Sequence, residues 1–248
     1  MKIGLIIPCT SRGRSWKNMK ETYLYNYTFK TFLLHQNKEH NYVFYLGVDH
    51  DDPIFSNPLQ QAVLLKFKKI FPNIGIHFIT LNEQKGYLTK MWNHLFRVAY
   101  DDYCDYFYQC GDDIEFCSSG WVNDSIKTLQ EHQNIGLTGP INNNNYILTQ
   151  AFVSRLHMDI FGLFFPENII NWGCDDWYNH VYKPNYFYPL KDHYCKNMGG
   201  KPRYVVNYNP TFMDNYKPNV DKLRNDMLIQ AGFDKKKIID FVQKYDLL

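Results

Sequence analysis

Residues 103–116, YCDYFYQCGDDIEF, run from an aromatic segment into a cluster of carboxylates. The first part has the apolar composition of a strand that is buried on both faces. Asp112, Asp113 and Glu115 then bring three negative charges close together, which is unfavourable unless a cation or a proton lies among them. A solvated turn after a strand can show the same pattern. The meaning of this cluster therefore depends on where the fold places it.

Three more strand patterns precede this stretch, and each is followed by a helical pattern. We predict strands at 3–8, 41–49 and 72–81, with helices at 17–36, 59–71 and 87–102. This alternation predicts a mostly parallel sheet with right-handed crossovers. Ligands of such sheets bind outside the carboxyl ends of the strands. We therefore expect three loops to meet at one site: CTSRGR (9–14), DHDDP (49–53) and GDDIEF (111–116).

The second half of the chain has a less regular pattern. It predicts a helix at 119–132, a short strand at 134–140 and a polar loop at 141–148. A later helix opens at CDDWYNHVY (174–182), where Asp175 or Asp176 can act as a cap or first-turn acid. The tail from 221 onward predicts two short helices around Gly232. Without internal repeats or a linker, we expect one domain over residues 1–248 with a C-terminal elaboration.

Composition narrows the class of protein. Apolar residues make up 45% of the chain, which is enough for a sizeable core, and the net charge of +2 does not suit a nucleic-acid groove or an acidic membrane surface. The six cysteines have neither C-x-x-C nor zinc-finger spacing, so we interpret them as structural and reduced. The apolar run at 3–7 is shorter than a signal peptide core or the ~20 residues of a membrane span. We expect a cytoplasmic protein without a transmembrane segment.

The loops and their order resemble the GT-A fold glycosyltransferases, especially the family-2-like enzymes that use a nucleotide-sugar donor. IPCTSRGR (7–14) resembles their Pro-x-[Ser/Thr]-x-Arg loop, and LGVDHDD (46–52) resembles their acidic segment after the second strand. CGDDIEF (110–116) resembles the D-x-D motif, and WGCDDWY (172–178) resembles the acidic pair that supplies the base of inverting members. The resemblance covers residues 1–182. It departs from the family at Gly111, where the D-x-D motif has its first acid.

This resemblance implies a fold and an activity. The expected fold is α/β and GT-A-like (Rossmann-like), with residues 1–117 binding the nucleotide-sugar and 118–248 forming the acceptor half and C-terminal helices. The expected reaction moves a sugar from a nucleoside-diphosphate sugar, UDP-sugar ahead of GDP-sugar, to a hydroxyl of a carbohydrate, glycan or glycosylated acceptor. Mn²⁺ or Mg²⁺ would bind at the diphosphate. An aspartate would act as the base that takes the proton of the acceptor hydroxyl.

The resemblance also implies roles for individual residues. Asp113 is the expected metal ligand, and Glu115 and His193 are further candidate ligands. Asp176 is the preferred catalytic base, with Asp175 second. The remaining candidates would bind the donor. The residues expected to line the nucleotide and diphosphate are Pro8, Thr10, Ser11, Arg12 and Lys90. Asp49, or its rival Asp51, would bind the ribose or uracil edge, and Asp112 would bind the ribose or the donor sugar.

Other classes share parts of this pattern. The Gly-Asp-Asp turn also resembles RNA-dependent polymerases, but the chain is too short for fingers, palm and thumb and its charge suits a template poorly. A sugar nucleotidyltransferase would need a G-x-G-x-R loop after the first strand, which CTSRGR lacks. A nucleotide- or carbohydrate-binding module that has lost turnover is a third alternative, because Gly111 interrupts the D-x-D motif.

Overall fold

The computed structural model describes residues 1–83, 85–144, 146–199 and 216–247, and of residues 216–220 only the backbone. Eight strands form one sheet in the order β3-β2-β1-β4-β7-β6-β8-β5. The strands are β1 Lys2–Cys9, β2 Asn41–Asp49, β3 Ile74–Leu81, β4 Tyr106–Gln109, β5 Ile114–Phe116, β6 Leu137–Ile141, β7 Ala151–Ser154 and β8 Phe187–Asn197.

The first four strands form the parallel half of the sheet. β1 pairs in parallel with β2 and β4, and β2 pairs in parallel with β3, with Pro8 opposite Gly47 near the carboxyl edge. β7 is antiparallel to both β4 and β6, whereas β6 and β8 are parallel. The predicted α/β fold with a mostly parallel sheet is therefore confirmed. The carboxyl ends of β1, β2, β4 and β6 lie at one edge, where the candidate site is expected.

Helices cover both faces of the sheet. They are α1 Lys30–His35, α2 Pro58–Leu65, α3 Leu88–Asp101, α4 Trp121–Glu131, α5 Leu156–Phe161, α6 Cys174–Tyr182 and α7 Tyr216–Lys244. A π-helix at Leu24–Phe29 leads into α1, and 3₁₀ turns occupy Met19–Glu21 and Lys66–Lys69. Thr22 has an extended backbone, so the single helix predicted at 17–36 is divided at that residue.

Two apolar layers hold these helices against the sheet. One layer packs α3, α5, α6 and α7 onto one face, around Trp177, Phe96 and Phe164. The other packs α1, α2 and α4 onto the opposite face, around Trp121 and Phe32. At roughly 25 cal/mol per Å² of apolar surface removed from water, these layers are the main source of stability. They fix the strands whose ends carry the candidate site residues.

The tail differs from the prediction of two short helices. α7 runs through Gly232 without a break, so that prediction was wrong. Met227, Ala231, Ile238 and Val242 recur at helical spacing and are buried on one side of α7. Their burial outweighs the roughly 1 kcal/mol that a glycine costs inside a helix.

β8 is a further element that the sequence did not predict. Residues 190–195, LKDHYC, were interpreted as a loop, yet they lie in an 11-residue strand between β6 and β5. Most of its side chains are at least partly exposed, so the strand lacks the alternation that predicts a half-buried strand.

Candidate active site at the carboxyl edge of the sheet

Asp52 ties the loop after β1 to the loop after β2. Its carboxylate accepts hydrogen bonds from the backbone N–H of Ser11 (2.7 Å), the Ser11 hydroxyl (2.9 Å) and the Thr10 hydroxyl (3.3 Å). It also accepts from the backbone N–H groups of Ile54 (3.0 Å) and Phe55 (2.8 Å). Thr10 and Ser11, which we expected at the nucleotide, are buried here and fix the loop through Asp52. Sequence reasoning gave Asp52 no role of its own, although its position directly after a strand was the available signal.

Arg12 lies between the acidic residues that follow β2. Its Nη2 is 2.7 Å from Asp51 Oδ2, and its Nε is 3.6 Å from Asp49 Oδ2. Lys85 Nζ also contacts Asp51 Oδ2 at 2.6 Å. Hydrogen bonds from Lys85 and Arg12 hold the pKa of the Asp51 carboxyl well below its usual range. The structure thus brings Arg12, Asp49 and Asp51 together, and it adds Lys85 as a second cation that the sequence did not indicate.

The carboxylates after β4 differ in exposure. Asp112 is fully buried, whereas Asp113 is half-buried. Burial and the nearby charges of both aspartates raise the pKa of the Cys110 thiol, so both carboxylates lie beside this cysteine at the end of β4. The backbone carbonyl of Asp113 accepts a hydrogen bond from Met198 N at 2.8 Å. Asp113 is therefore the carboxylate of the pair that is accessible to a ligand in this structure.

Two glycines leave the space that the Asp113 carboxylate occupies. A Cβ at Gly111 would overlap Asp113 Oδ1, and a Cβ at Gly199 would overlap Asp113 Oδ2. Gly111 is the position where the family motif has its first acid. A side chain at position 111 would therefore displace the Asp113 carboxylate from the position that it has in this structure.

Restoring an acid at the motif position is expected to weaken donor binding. In Gly111→Asp, the new side chain and its charge would push Asp113 away, so we expect Mn²⁺-dependent UDP affinity to fall by about tenfold or more, since overpacking typically costs about 1–3 kcal/mol. Calorimetric titration of UDP with Mn²⁺ would measure this. Gly232→Asp adds the same charge at an exposed position where a Cβ meets no atom within 4 Å, and it serves as the control. Tighter binding by Gly111→Asp would contradict the steric interpretation.

Glu115 and His193 lie on strands beyond the end of β4. Glu115 is in β5 opposite Lys196 of β8, and its strand neighbours on both sides are buried. His193 is in β8, where its Nε2 is 2.6 Å from Asp124 Oδ2 of α4. The structure thus gives His193 an acidic partner outside the Asp112–Asp113 turn. The assignment of both residues as metal ligands stays a prediction.

Lys90 and its neighbourhood lie at the start of α3. Lys90 Nζ is 3.6 Å from Glu167 Oε2 and 5.5 Å from the centre of the Tyr87 ring. Trp92, two residues on, is buried against Phe165 with ring centres 5.4 Å apart. Trp92 therefore belongs to the core, and Lys90 reaches the surface beside it.

The acidic pair Asp175–Asp176 occupies the first turn of α6. Gly173, with φ of 85°, precedes the helix in the left-handed region. Carboxylates near a helix N-terminus interact favourably with its dipole. The two side chains have different surroundings: Asp175 accepts from Cys174 Sγ at 3.5 Å, whereas Asp176 is close enough to His180, one turn on, to influence its pKa.

α6 contacts the end of β4 through Tyr178. The hydroxyl of Tyr178, one turn further along α6, lies 3.4 Å from Gln109 Oε1 and 3.1 Å from the Leu148 carbonyl oxygen. Burial and the charge of Asp175 raise the pKa of this tyrosine. Gln109 is the last residue of β4, three positions before Asp112. Burial, together with the charge of the adjacent Asp176, raises the pKa of the Asp175 carboxyl to about 7. A carboxyl with this pKa can exchange a proton near neutral pH.

The residues at the end of β4 fit a hard divalent cation. Mn²⁺ and Mg²⁺ take oxygen ligands from one or two carboxylates together with phosphate oxygens, and Asp113 supplies a carboxylate held in the space left by Gly111 and Gly199. Within residues 1–83, 85–144, 146–199 and 216–247, no three side chains of His, Cys, Asp or Glu are grouped closely enough to hold a metal by themselves. A cation here would rely on ligand oxygens as well as on Asp113.

The architecture is similar to three solved structures. TarS 1–349 of S. aureus in complex with UDP-GlcNAc superposes with a TM-score of 0.53 at 14% identity, covering 83% of this chain and 62% of that one. The same protein in complex with UDP gives 0.55 at 13% identity, covering 79% and 60%. The mannosyltransferase PcManGT of Pyrobaculum calidifontis, in complex with GDP-Man and Mn²⁺, gives 0.55 at 12% identity, covering 80% and 57%.

The chain has a GT-A-like fold. It spans about 57–62% of the length of these three chains. No protein-family model and no curated protein sequence matches it. Among the described residues, every helix is too short or too polar to cross a lipid bilayer.

Proposed function

We propose that this protein transfers a sugar from a nucleoside-diphosphate sugar to a hydroxyl of a carbohydrate-containing acceptor. The observation that carries the proposal is Asp175, a half-buried carboxyl with a pKa raised to about 7, on the helix that contacts the end of β4. The Asp112–Asp113 turn leaves the same strand end. A proton acceptor and a diphosphate-binding turn on one sheet edge are the two parts that glycosyl transfer requires.

Asp175 is the better candidate base than Asp176. A general base works best when its pKa lies near the working pH, and burial brings Asp175 to that range. The interactions of Asp176 include His180, on the exposed side of α6. This reverses the order of preference that the sequence alone suggested.

The reaction would proceed by direct displacement. Asp175 accepts the proton of the acceptor hydroxyl, and that oxygen forms a bond to the anomeric carbon of the donor sugar. The bond from this carbon to the diphosphate oxygen breaks, and the nucleoside diphosphate leaves with the electron pair. A divalent cation held by Asp113 would neutralise charge on the leaving diphosphate.

Donor selection would involve the loops after β1 and β2. Arg12 and Lys85 are cations beside Asp51 at this edge, and guanidinium groups pair well with phosphate oxygens. Asp49 is suited to accept hydrogen bonds from ribose hydroxyls. UDP-sugars are the first donors to test, because TarS structures hold UDP and UDP-GlcNAc, and GDP-mannose is the comparison because PcManGT holds it.

Nucleotide binding tests the proposal directly. UDP at about 100 times its Kd should stabilise the protein by about 2.7 kcal/mol, or an increase in melting temperature of roughly 5–10 °C for a domain of this size, and more with Mn²⁺ than without. The measurement is thermal unfolding with UDP, GDP and their sugars. If neither nucleotide gives a metal-dependent increase, the proposal fails. Release of pyrophosphate from UTP and a sugar 1-phosphate would instead support the nucleotidyltransferase alternative.

A further inference from the structure

A cavity lies beside the candidate active site, next to the loop that joins β6 to β7. It has a volume of about 260 Å³. Residues of the loop form one side of its wall and alternate residues of β8 form the other; those used below are Asn142, Tyr146, Leu148, Phe187 and Lys191. This volume is slightly below the roughly 300–1,000 Å³ typical of small-ligand sites, so the cavity suits a ligand the size of one sugar ring. The sequence indicated only a polar loop here.

The loop is attached to both parts of the candidate active site. On one side, Asn143 exchanges two hydrogen bonds with the backbone of Asn197 at the end of β8, at 3.1 and 3.2 Å. The next residue, Met198, donates to the backbone carbonyl of Asp113. The cavity is thereby held next to the Asp112–Asp113 turn, where the proposed function has the diphosphate of the donor bind.

On the other side, the loop is attached to α6. The Leu148 carbonyl accepts from Asn179 Nδ2 at 2.8 Å, and the same Nδ2 donates to the carbonyl of Asp175 at 2.8 Å. Further along, Lys183 Nζ is 3.5 Å from the Tyr146 carbonyl. Residues 175 and 183 are separated by about 12 Å along a helix, at a rise of about 1.5 Å per residue. The loop that forms the cavity is therefore attached to the same helix that carries Asp175.

Asn142 is a buried hydrogen-bond donor in the cavity wall. The residue is 2% exposed. Its Oδ1 accepts the backbone N–H of Asn144 at 2.7 Å, which determines which end of the amide is nitrogen. Its Nδ2 is buried and has no hydrogen-bond partner among the residues that the structure describes. A buried polar group without a partner is costly, so an oxygen atom of a ligand in the cavity would be favoured at this nitrogen.

The other walls suit a sugar ring. Tyr146 is 89% exposed, an unusual environment for a large aromatic side chain, and its ring offers an apolar face to a ligand. Phe187 and Leu148 provide further apolar surface, while the exposed Lys191 adds a donor at the rim. An aromatic face combined with a few fixed polar groups matches a pyranose, which has an apolar face and a rim of hydroxyls.

We propose that this cavity is the acceptor subsite, and that it binds a pyranose unit of the acceptor through Asn142 Nδ2 and the face of Tyr146. The inference rests on the proposed glycosyltransferase function and specifies its acceptor class as a carbohydrate rather than a protein side chain or a lipid alone. The pyranose bound in the cavity is one or more sugar units away from the acceptor hydroxyl that reacts at Asp175.

Side-chain amide NMR tests this without donor or turnover. The full chain, labelled with ¹⁵N, is titrated with the methyl β-pyranosides of glucose, galactose, mannose, N-acetylglucosamine and glucuronic acid. The Asn142 side-chain signals are assigned by their loss in Asn142→Asp. At least one glycoside should shift these signals in a saturable manner, and Tyr146→Ala should weaken that binding by about fivefold or more, as for other anchoring aromatics.

A matched variant and an independent donor measurement make the outcome decisive. Tyr103 is 82% exposed with φ of 55°, and Tyr103→Asn removes an exposed ring at a conformation that Asn tolerates. This variant should bind glycosides as the wild type does. No saturable shift with any glycoside, or equal binding by Tyr146→Ala, overturns the proposal. Binding of UDP with Mn²⁺, measured separately, should be unchanged in Tyr146→Ala; if the wild type binds glycosides but no nucleotide, the transferase function fails rather than the sugar site.

Discussion

Replacement of Asp175 by Asn is expected to lower the rate of sugar transfer by about 10²–10⁴-fold, the usual contribution of a general base. The amide has nearly the same shape as the carboxyl and can still accept from Cys174 Sγ through its oxygen. It cannot take up the proton of the acceptor hydroxyl. Transfer measured with the donor identified by the nucleotide screen would show the loss, while UDP affinity in the presence of Mn²⁺ should stay within about twofold of the wild type.

The pH dependence follows from the same residue. Because burial raises the pKa of Asp175 to about 7, the fraction of the base form, and with it kcat/KM, should rise with pH and level off above about pH 7. The effect on stability has the opposite direction. An aspartate with a folded pKa above its unfolded value of about 3.9 is protonated in the folded state between these values, so stability decreases as the pH rises through this window. Asp175→Asn removes this decrease, and its melting temperature should exceed that of the wild type increasingly from pH 4 to about pH 7.

Asp176→Asn is the matched control for this prediction. It removes one carboxylate from the same helical turn, and the pKa of Asp175 should fall, because the charge of Asp176 helps to raise it. We expect at least one tenth of the wild-type rate and a pH profile moved to lower pH. If Asp176→Asn abolishes transfer and Asp175→Asn does not, Asp176 is the base, as the sequence alone suggested.

The sequence predicted the parallel half of the sheet because its signals are local. Buried strands such as residues 3–8 are continuous apolar runs, and the helices between them have apolar residues at the 3.6-residue spacing of a helix. The type of each element and the order of the elements along the chain can therefore be predicted from the sequence. The carboxyl edge then follows from topology. β8 could not be found in this way, because its side chains are largely exposed and it is held by pairing with β6 and β5, which are distant in sequence.

The same distinction applies to the site. The acidic turns were visible as residue types, but their individual surroundings depend on tertiary contacts. Asp52 and Asp51 are neighbours in sequence, yet one is fully buried with backbone donors and the other is an exposed partner of Arg12 and Lys85. Likewise the sequence ranked Asp176 ahead of Asp175, and the burial of Asp175 that reverses this order is produced by the folded chain. Burial, which decides the pKa, is not a local property of the sequence.

Asp113→Asn should abolish the part of UDP binding that depends on Mn²⁺. A carboxamide oxygen is a weaker ligand for a hard cation than a carboxylate, and the change also removes one negative charge that holds the metal. We expect the increase in melting temperature with UDP and Mn²⁺ to fall to the value seen with UDP alone, and transfer to fall by about 10²-fold or more, because the cation no longer stabilises the leaving group. Thermal unfolding with and without Mn²⁺ measures the first effect, and the transfer assay the second.

Glu115→Gln is the control that separates a ligand from a nearby charge. Glu115 lies two residues beyond Asp113, in a strand whose neighbouring side chains are buried and opposite Lys196. If Asp113 alone holds the cation, Glu115→Gln makes the electrostatic potential at the metal site only slightly less negative. This variant then keeps most of the Mn²⁺-dependent increase in melting temperature. Equal loss in both variants would make Glu115 a second ligand. Retention of the full increase in Asp113→Asn would exclude the turn after β4 as the metal site, because Asp113 is the accessible carboxylate of that turn.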